Sequence, residues 1–289
     1  FIDLGIPEKR EAECRATERF VKATKSMDNP LIRAAAGPHA VYTVSPEGLS
    51  WLAEFSAAEG IGIHVHLSET EKEVTDSVAQ YGKRPPALLE ECGLLTPRTV
   101  AAHGCWLDRA ECALLARRGV HVAYNPVSNM KLATNRALPY HWLREAGASV
   151  CLGTDGAASN NNLDLFEEMK TGALLQKFAW NSPTLLPAPE ALSLATAAGA
   201  RALGLPTGTI EPGRPADLLL LDRSAPCNIP LHHAASNAVY SCSGNAVTTV
   251  LCNGRVLMAD RIVPGESEIL AEAARSASGL VKRALDAAQ

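Results

Sequence analysis

Two histidines and a glutamate stand close together in "HVHLSETEKEV", residues 64–74. His64 and His66 are one residue apart, and Glu69 follows three positions after the second. Imidazole nitrogen suits zinc and similar divalent ions, and a strand end holds it rigidly. A carboxylate in the loop above the strand lies near such an ion without having to bind it, which is where a general acid or base belongs. A plain alternative exists: a strand-end histidine followed by a glutamate that opens a helix. His64 shares a strand face with His66, so it also stays a candidate.

Three more residues invite the same two readings. His103 ends the apolar run "VAAHG", as a core imidazole or as a site residue. Asp155, in "LGTDGAASNNN", could cap the next segment through backbone N–H groups, or hold a metal with one oxygen and take a water proton with the other. His39, after Pro38, could donate to a ligand or bond within its own loop. Counted together, the polar residues fall one after another at the ends of apolar runs.

The elements that must position them alternate. Strands are expected at 31–39, 61–67, 99–104, 120–126 and 148–156. Helices are expected at 45–60, 85–93, 137–147 and about 163–177, with another near 188–203. Ser45 can cap and Pro46 suits a first turn; Gly60 and Gly119 stop helices. Thr70 with Glu73, and Asp108 with Glu111, have capping-box spacing. Apolar strands alternating with helices predict a parallel α/β architecture, and a (β/α)8 barrel collects its chemistry at the strand C-terminal ends. An open doubly wound sheet would usually show a phosphate loop, and neither G-x-G-x-x-G nor G-x-x-x-x-G-K occurs.

Beyond about residue 205 the texture changes. "GTIEPGRPADLLLLD" (208–222) is a turn into a strand, "NAVYSCSG" (237–244) reads as a short strand, and 246–263 as a hairpin around Asn253-Gly254. The expected division is a barrel over 1–205, a small β module over 206–265 and a terminal helical segment over 266–289.

The bulk properties exclude several classes. The 289 residues carry 27 basic and 31 acidic side chains, and no basic run suggests nucleic acid or an anionic membrane as partner. No apolar stretch is long enough to span a bilayer. The eight cysteines are dispersed without a C-x-x-C pair, which argues against a zinc knot or a disulfide framework. They fit buried thiols in a reducing compartment, so a cytoplasmic location is expected.

The blocks "GPHAVYTVS", "HVHLSETEKEV", "VAAHG", "NPVSNMKLA" and "LGTDGAASNNNLDLFEEM", in this order, resemble the metal-dependent amidohydrolase superfamily, closest to its methylthioadenosine/S-adenosylhomocysteine deaminase branch. The later "GTIEPGRPADLLLLD" and "NAVYSCSGNAVTTVLCNGRVL" resemble that family's small β-sandwich. The resemblance implies His66 and Asp155 as ligands of one divalent ion, zinc first, with iron or manganese as alternatives. It implies Glu69 as proton shuttle, His103 as the contact to the metal-bound water, Asp155 as base, and His39 as a substrate contact. Arg10, with Arg15 as fallback, matches an arginine that holds a substrate carboxylate.

The resemblance also implies an activity: hydrolytic deamination of an adenine nucleoside such as S-adenosylhomocysteine, methylthioadenosine or 5′-deoxyadenosine, in a homo-oligomer. The alternatives are a guanine, 8-oxoguanine, pterin or triazine aminohydrolase, or a scaffold without chemistry. The cytidine-deaminase type of site is excluded, because no P-C-x-x-C is present. One departure stands out. The family's own H-x-H ligand pair lies on a first strand upstream of these blocks, and a whole barrel takes about 250 residues. The chain therefore reads as the C-terminal part of a family member, with about five barrel strands.

Overall fold

The computed structural model describes residues 1–287, so the last two positions of the predicted terminal segment lie outside the described residues. The chain opens with a helix, α1 (Pro7–Ser26), that no apolar stripe announces; of its residues Val21 and Thr24 are buried. The alternation follows: β1 (Ala35–Ala36), α2 (Pro46–Glu59), β2 (Gly62–Leu67), α3 (Glu71–Tyr81), α4 (Pro85–Glu91), β3 (Thr99–His103) and α5 (Arg109–Arg118). Next come β4 (His121–Tyr124), α6 (Pro126–Lys131), α7 (Tyr140–Glu145) and β5 (Ser149–Leu152).

The five strands pair in parallel in the unbroken order β1-β2-β3-β4-β5. An order that never reverses puts every right-handed crossover on one side of the sheet. A doubly wound sheet reverses its order; this one does not.

The two faces of the sheet differ in kind. Ile63, Val65 and Leu67 alternate to one face of β2, and register aligns Ala101, Val122 and Val150 with Val65. Leu49 and Leu52 of α2, Leu89 of α4, Leu115 of α5 and Leu143 of α7 belong to the same buried cluster. Burying each such leucine contributes about 2 kcal/mol, so this face supplies the cohesion. The other face carries His64, His66, His121 and Ser149, and His121 Nδ1 lies 2.7 Å from Ser149 Oγ.

After β5 come α8 (Ala157–Asn160), α9 (Leu165–Ala179), α10 (Ala188–Leu194) and α11 (Ala197–Ala202). The chain then forms β6 (Leu218–Leu221), α12 (Ala234–Tyr240), β7 (Val247–Cys252), β8 (Arg255–Met258) and α13 (Glu266–Ala287). Strands β6, β7 and β8 make one antiparallel layer. Asn253 and Gly254 have φ of 49° and 78°, the left-handed pair that a type I′ hairpin requires. None of the described α13 residues is buried. Among the described residues no helix is long and apolar enough to cross a membrane.

Four expected features change. The single helix expected near 188–203 is interrupted: α10 ends at Leu194 and α11 starts at Ala197, with Thr196 at a non-helical φ of −128° and ψ of −93°. The strand predicted over 31–39 shrinks to Ala35–Ala36, because it pairs only with Gly62 and Ile63 and Gly37-Pro38 ends it. The segment 237–244 is not a strand: Asn237 and Ser241 donate back to His233 and Asn237 in helical steps, and α12 buries Ala238 and Val239. A short apolar run fits either period, and packing against α9 and α10 selects the helix. The Thr70–Glu73 box closes on one side only. Thr70 Oγ1 accepts from the Glu73 N–H, but the Glu73 carboxylate turns to Ser68 and Glu69 instead. The Asp108–Glu111 box is complete.

Candidate metal centre

His66 ends β2 on the polar face. Its Nδ1 lies 2.7 Å from the His39 carbonyl oxygen, which also accepts the His66 backbone N–H at 3.0 Å. A ring nitrogen facing a carbonyl must donate, so the neutral ring keeps its lone pair on Nε2, the arrangement a metal-binding histidine uses. His39 itself is half-buried, with its ring centroid 4.8 Å from that of His66. Burial and the neighbouring His66 lower the His39 pKa.

Asp155 follows β5 with φ of 60°, a left-handed backbone for a residue other than glycine. Its carboxylate is held from three sides. Ser128 Oγ and Ser159 Oγ each donate to Oδ2 at 2.7 Å, and the Gly156 N–H donates to Oδ1 at 2.8 Å. Burial by itself raises the pKa of this group, but these hydrogen bonds and His103 outweigh it and leave the pKa lowered. The group is therefore an anion at neutral pH.

His103 ends β3 and is 1% exposed. Its register partner is Leu67, on the apolar face. A φ of 74° breaks the alternation and brings its ring to 5.4 Å from the His66 ring at an interplanar angle of 14°. Asn129 Nδ2 lies 2.9 Å from Nδ1. Burial, then repulsion from His66, pushes the His103 pKa down to about 4, so the ring is neutral. Left-handed backbone at both His103 and Asp155 costs energy that the surrounding structure must offset, as it does at functional sites.

The convergence is tight. One ligating atom from each of His66, His103 and Asp155 lies within 4.8 Å of the others. Two imidazoles and a carboxylate are a donor set that suits a divalent ion. Glu69 stands beside them, its Oε1 3.9 Å from His103 Nδ1. Burial raises the Glu69 pKa, against the lowering effect of His66.

The amidohydrolase family pattern matches residues 2–257 of the 289. The chain belongs to the amidohydrolase family. It is 67% identical over 284 residues to the 5′-deoxyadenosine deaminase of Methanoregula boonei, covering 98% of this chain and 64% of that protein. It is 44% identical over 270 residues to 5-methylthioadenosine/S-adenosylhomocysteine deaminase 1 of Archaeoglobus fulgidus, covering 93% and 63%. Among solved structures it resembles a zinc-bound adenosine deaminase from Xanthomonas campestris, with a TM-score of 0.89 and 37% identity over 98% of this chain and 65% of that one.

Other predicted residues of this amidohydrolase lie apart from the cluster or at its edge. Arg10, on α1, bonds Ser45 Oγ at 3.4 Å and stands 3.7 Å from Glu47, at the start of α2. Arg15 pairs with Glu11 one turn away. His64 shares the polar face with His66, and its pKa is lowered by burial and by His66.

The supports around the site were not legible in advance. Glu73, 3% exposed, accepts from the Ser68 and Glu69 N–H groups at 2.8 Å each and so fixes the loop carrying Glu69. Glu168, fully buried on α9, accepts from Val127 N–H and from Asn160 Nδ2, joining α6, which carries Ser128, to α8, which follows Asp155. Gly153 leaves room for Asn125: a Cβ there would sit 2.4 Å from Asn125 Oδ1. Ser128, Asn125 and Asn129 lie in "NPVSNMKLA", but nothing in their types says which polar group each supports.

Proposed function

We propose that this amidohydrolase takes part in the hydrolytic deamination of an adenine nucleoside of the S-adenosylhomocysteine, methylthioadenosine or 5′-deoxyadenosine type. The observation that carries the reading is the convergence of His66, His103 and Asp155 with Glu69 alongside. The relatives named for such deaminases support the substrate class.

His66 Nε2 and an Asp155 oxygen would hold a divalent ion, zinc first, with iron or manganese as alternatives. Such an ion, when bound, supplies the Lewis acidity that brings the pKa of water towards about 7. Asp155, kept anionic by three donors, takes the proton of the attacking water. His103, neutral, buried and bonded by Asn129, orients that water towards the purine C6. Glu69, whose carboxyl is held protonated more readily than usual, gives a proton to the ring nitrogen and then serves the leaving amino group, which departs as ammonia. His39 contacts the nucleoside, and Arg10 would exchange Glu47 for a substrate carboxylate.

The wider proposal is a closed (β/α)8 barrel with residues 1–205 as part of it, a β-sandwich containing 206–265 and a helical segment 266–289. A homo-oligomer in the cytoplasm completes it; light scattering checks the assembly state. The test of function is ammonia release by zinc-loaded protein from S-adenosylhomocysteine, methylthioadenosine, 5′-deoxyadenosine, adenosine and guanine. Release from the adenine nucleosides supports the reading. Release from guanine alone replaces it with the guanine alternative, and zinc binding without any release favours a scaffold.

A further inference from the structure

Two thiols far from the metal cluster meet in the segment between β6 and β7. Cys227 sits in a 3-10 turn, Pro226–Asn228, and Cys242 follows α12. Their sulfurs are 3.6 Å apart, and both are free thiols. Among the described residues no other pair of cysteine sulfurs is hydrogen-bonded. The approach is built by one residue. Asn237 Nδ2 donates to the Cys227 carbonyl at 3.1 Å, and the Asn237 carbonyl accepts the Cys242 N–H at 2.9 Å. Both cysteine backbones are thus referred to the same side chain and peptide. Asn228 adds a second brace: its Nδ2 donates to the Asp222 carbonyl at 2.7 Å, and its Oδ1 lies 3.4 Å from Cys242 Sγ.

We propose that Cys227 and Cys242 form a reversible dithiol–disulfide site that reacts with small disulfides of the glutathione class. The two thiols differ in the way such a pair needs. Cys242 is 6% exposed, whereas Cys227 is half-buried and within reach of solvent. Cys227 therefore meets the oxidant. Its thiolate attacks one sulfur of the small disulfide and expels one small thiol, leaving a mixed disulfide on Cys227. Cys242 then loses its proton and attacks Cys227 Sγ, expelling the second small thiol. Two protein thiols are oxidised to one disulfide, and one small disulfide is reduced to two thiols. A bond requires the sulfurs to close from 3.6 Å to about 2 Å, a shift on the scale of side-chain rotation. The bond would close the chain between positions 227 and 242, around α12. It would pin the connection that reaches α9 through the Gly244 N–H donating to Asp164 Oδ2 at 3.2 Å.

The site is independent of the deaminase reading, and its test does not use turnover. The full chain is equilibrated with oxidised and reduced glutathione at graded ratios, quenched with an alkylating agent and mapped by peptide mass spectrometry. The expected result is the loss of two of the eight thiols in one internal 227–242 link. Cys242→Ser should trap glutathione on Cys227, and Cys227→Ser should leave Cys242 in its thiol form. The thermal midpoint should rise on oxidation in the wild type and stay constant in Cys242→Ser. Links between other cysteines, a glutathione adduct on wild-type Cys227 that never resolves, or no loss of these two thiols at the most oxidising ratio would each overturn the proposal.

Discussion

The backbone oxygen of His39 accepts two hydrogen bonds from His66, one from ring Nδ1 at 2.7 Å and one from the main-chain N–H at 3.0 Å. The His66 ring is aimed by main chain, whereas the His39 ring bonds within its own loop, its Nδ1 2.8 Å from Thr43 Oγ1, which leaves Nε2 for another task. His39→Ala keeps that carbonyl. Zinc content should therefore stay near the wild-type value while KM for the nucleoside rises. His66→Ala should lose the metal. Metal analysis beside steady-state kinetics checks both, and equal metal loss in the two variants would contradict the division of labour.

Glu69 lies beside the cluster without entering its ligand set. Glu69→Gln should lower kcat by about 10²–10⁴, the usual contribution of a positioned acid or base. Bound zinc should be nearly unchanged. If zinc falls in step with turnover, Glu69 is a ligand and not a shuttle.

Asp155 owes its depressed pKa to the hydroxyls of Ser128 and Ser159 and to the Gly156 N–H, which overcome the cost of its burial. Ser128→Ala combined with Ser159→Ala removes two of the three donors. Second-layer losses of this kind reduce metal affinity by about 10–100-fold. Competition against a zinc chelator measures the change; an unchanged affinity would show that the hydroxyls only shape the loop.

Gly153 makes room for the Asn125 amide, whose Nδ2 lies 3.5 Å from His103 Nδ1. Gly153→Ala should displace Asn125 and lower kcat more than it raises KM. A crystal structure of the variant would show whether the amide has moved.

Two buried carboxyls give the fold a pH dependence of defined sign. Burial pushes both Glu73 and Glu168 up to about 7 from an ordinary 4.5. Each native group then holds its proton where the unfolded chain has released it. Its contribution is fully present below about pH 4.5 and is lost as pH rises through about 7, by roughly 3 kcal/mol at most per group. His103 works the other way: its pKa of about 4 lies below its ordinary 6.5, so its contribution grows as pH rises between those values. Comparing metal-free wild type with Glu168→Gln by urea denaturation at pH 5 and pH 8 isolates the carboxyl. The variant should lose less stability than wild type between the two.

Local chemistry made part of this structure readable from the chain. Ser45 accepts from the Gly48 N–H, Asp108 and Glu111 close their box, and Asn253-Gly254 turns its hairpin, because each depends on neighbours a few residues away. The order of His66, Glu69, His103 and Asp155 at strand ends was equally visible, since strand and loop alternate along the sequence. The switch of 237–244 from strand to α12 was not, because its few apolar residues suit both periods until α9 and α10 choose one.

The sequence by itself determined the residue types, the alternation and the family. Only the tertiary structure decided that His103 turns away from the face its register assigns, that Glu73 abandons its own helix cap for the Glu69 loop, and that Glu168 on α9 joins α6 to α8. The physical reason is range. Caps and turns are settled by bonds within a few residues, whereas a buried polar group takes whichever partner the packed fold brings within about 3 Å.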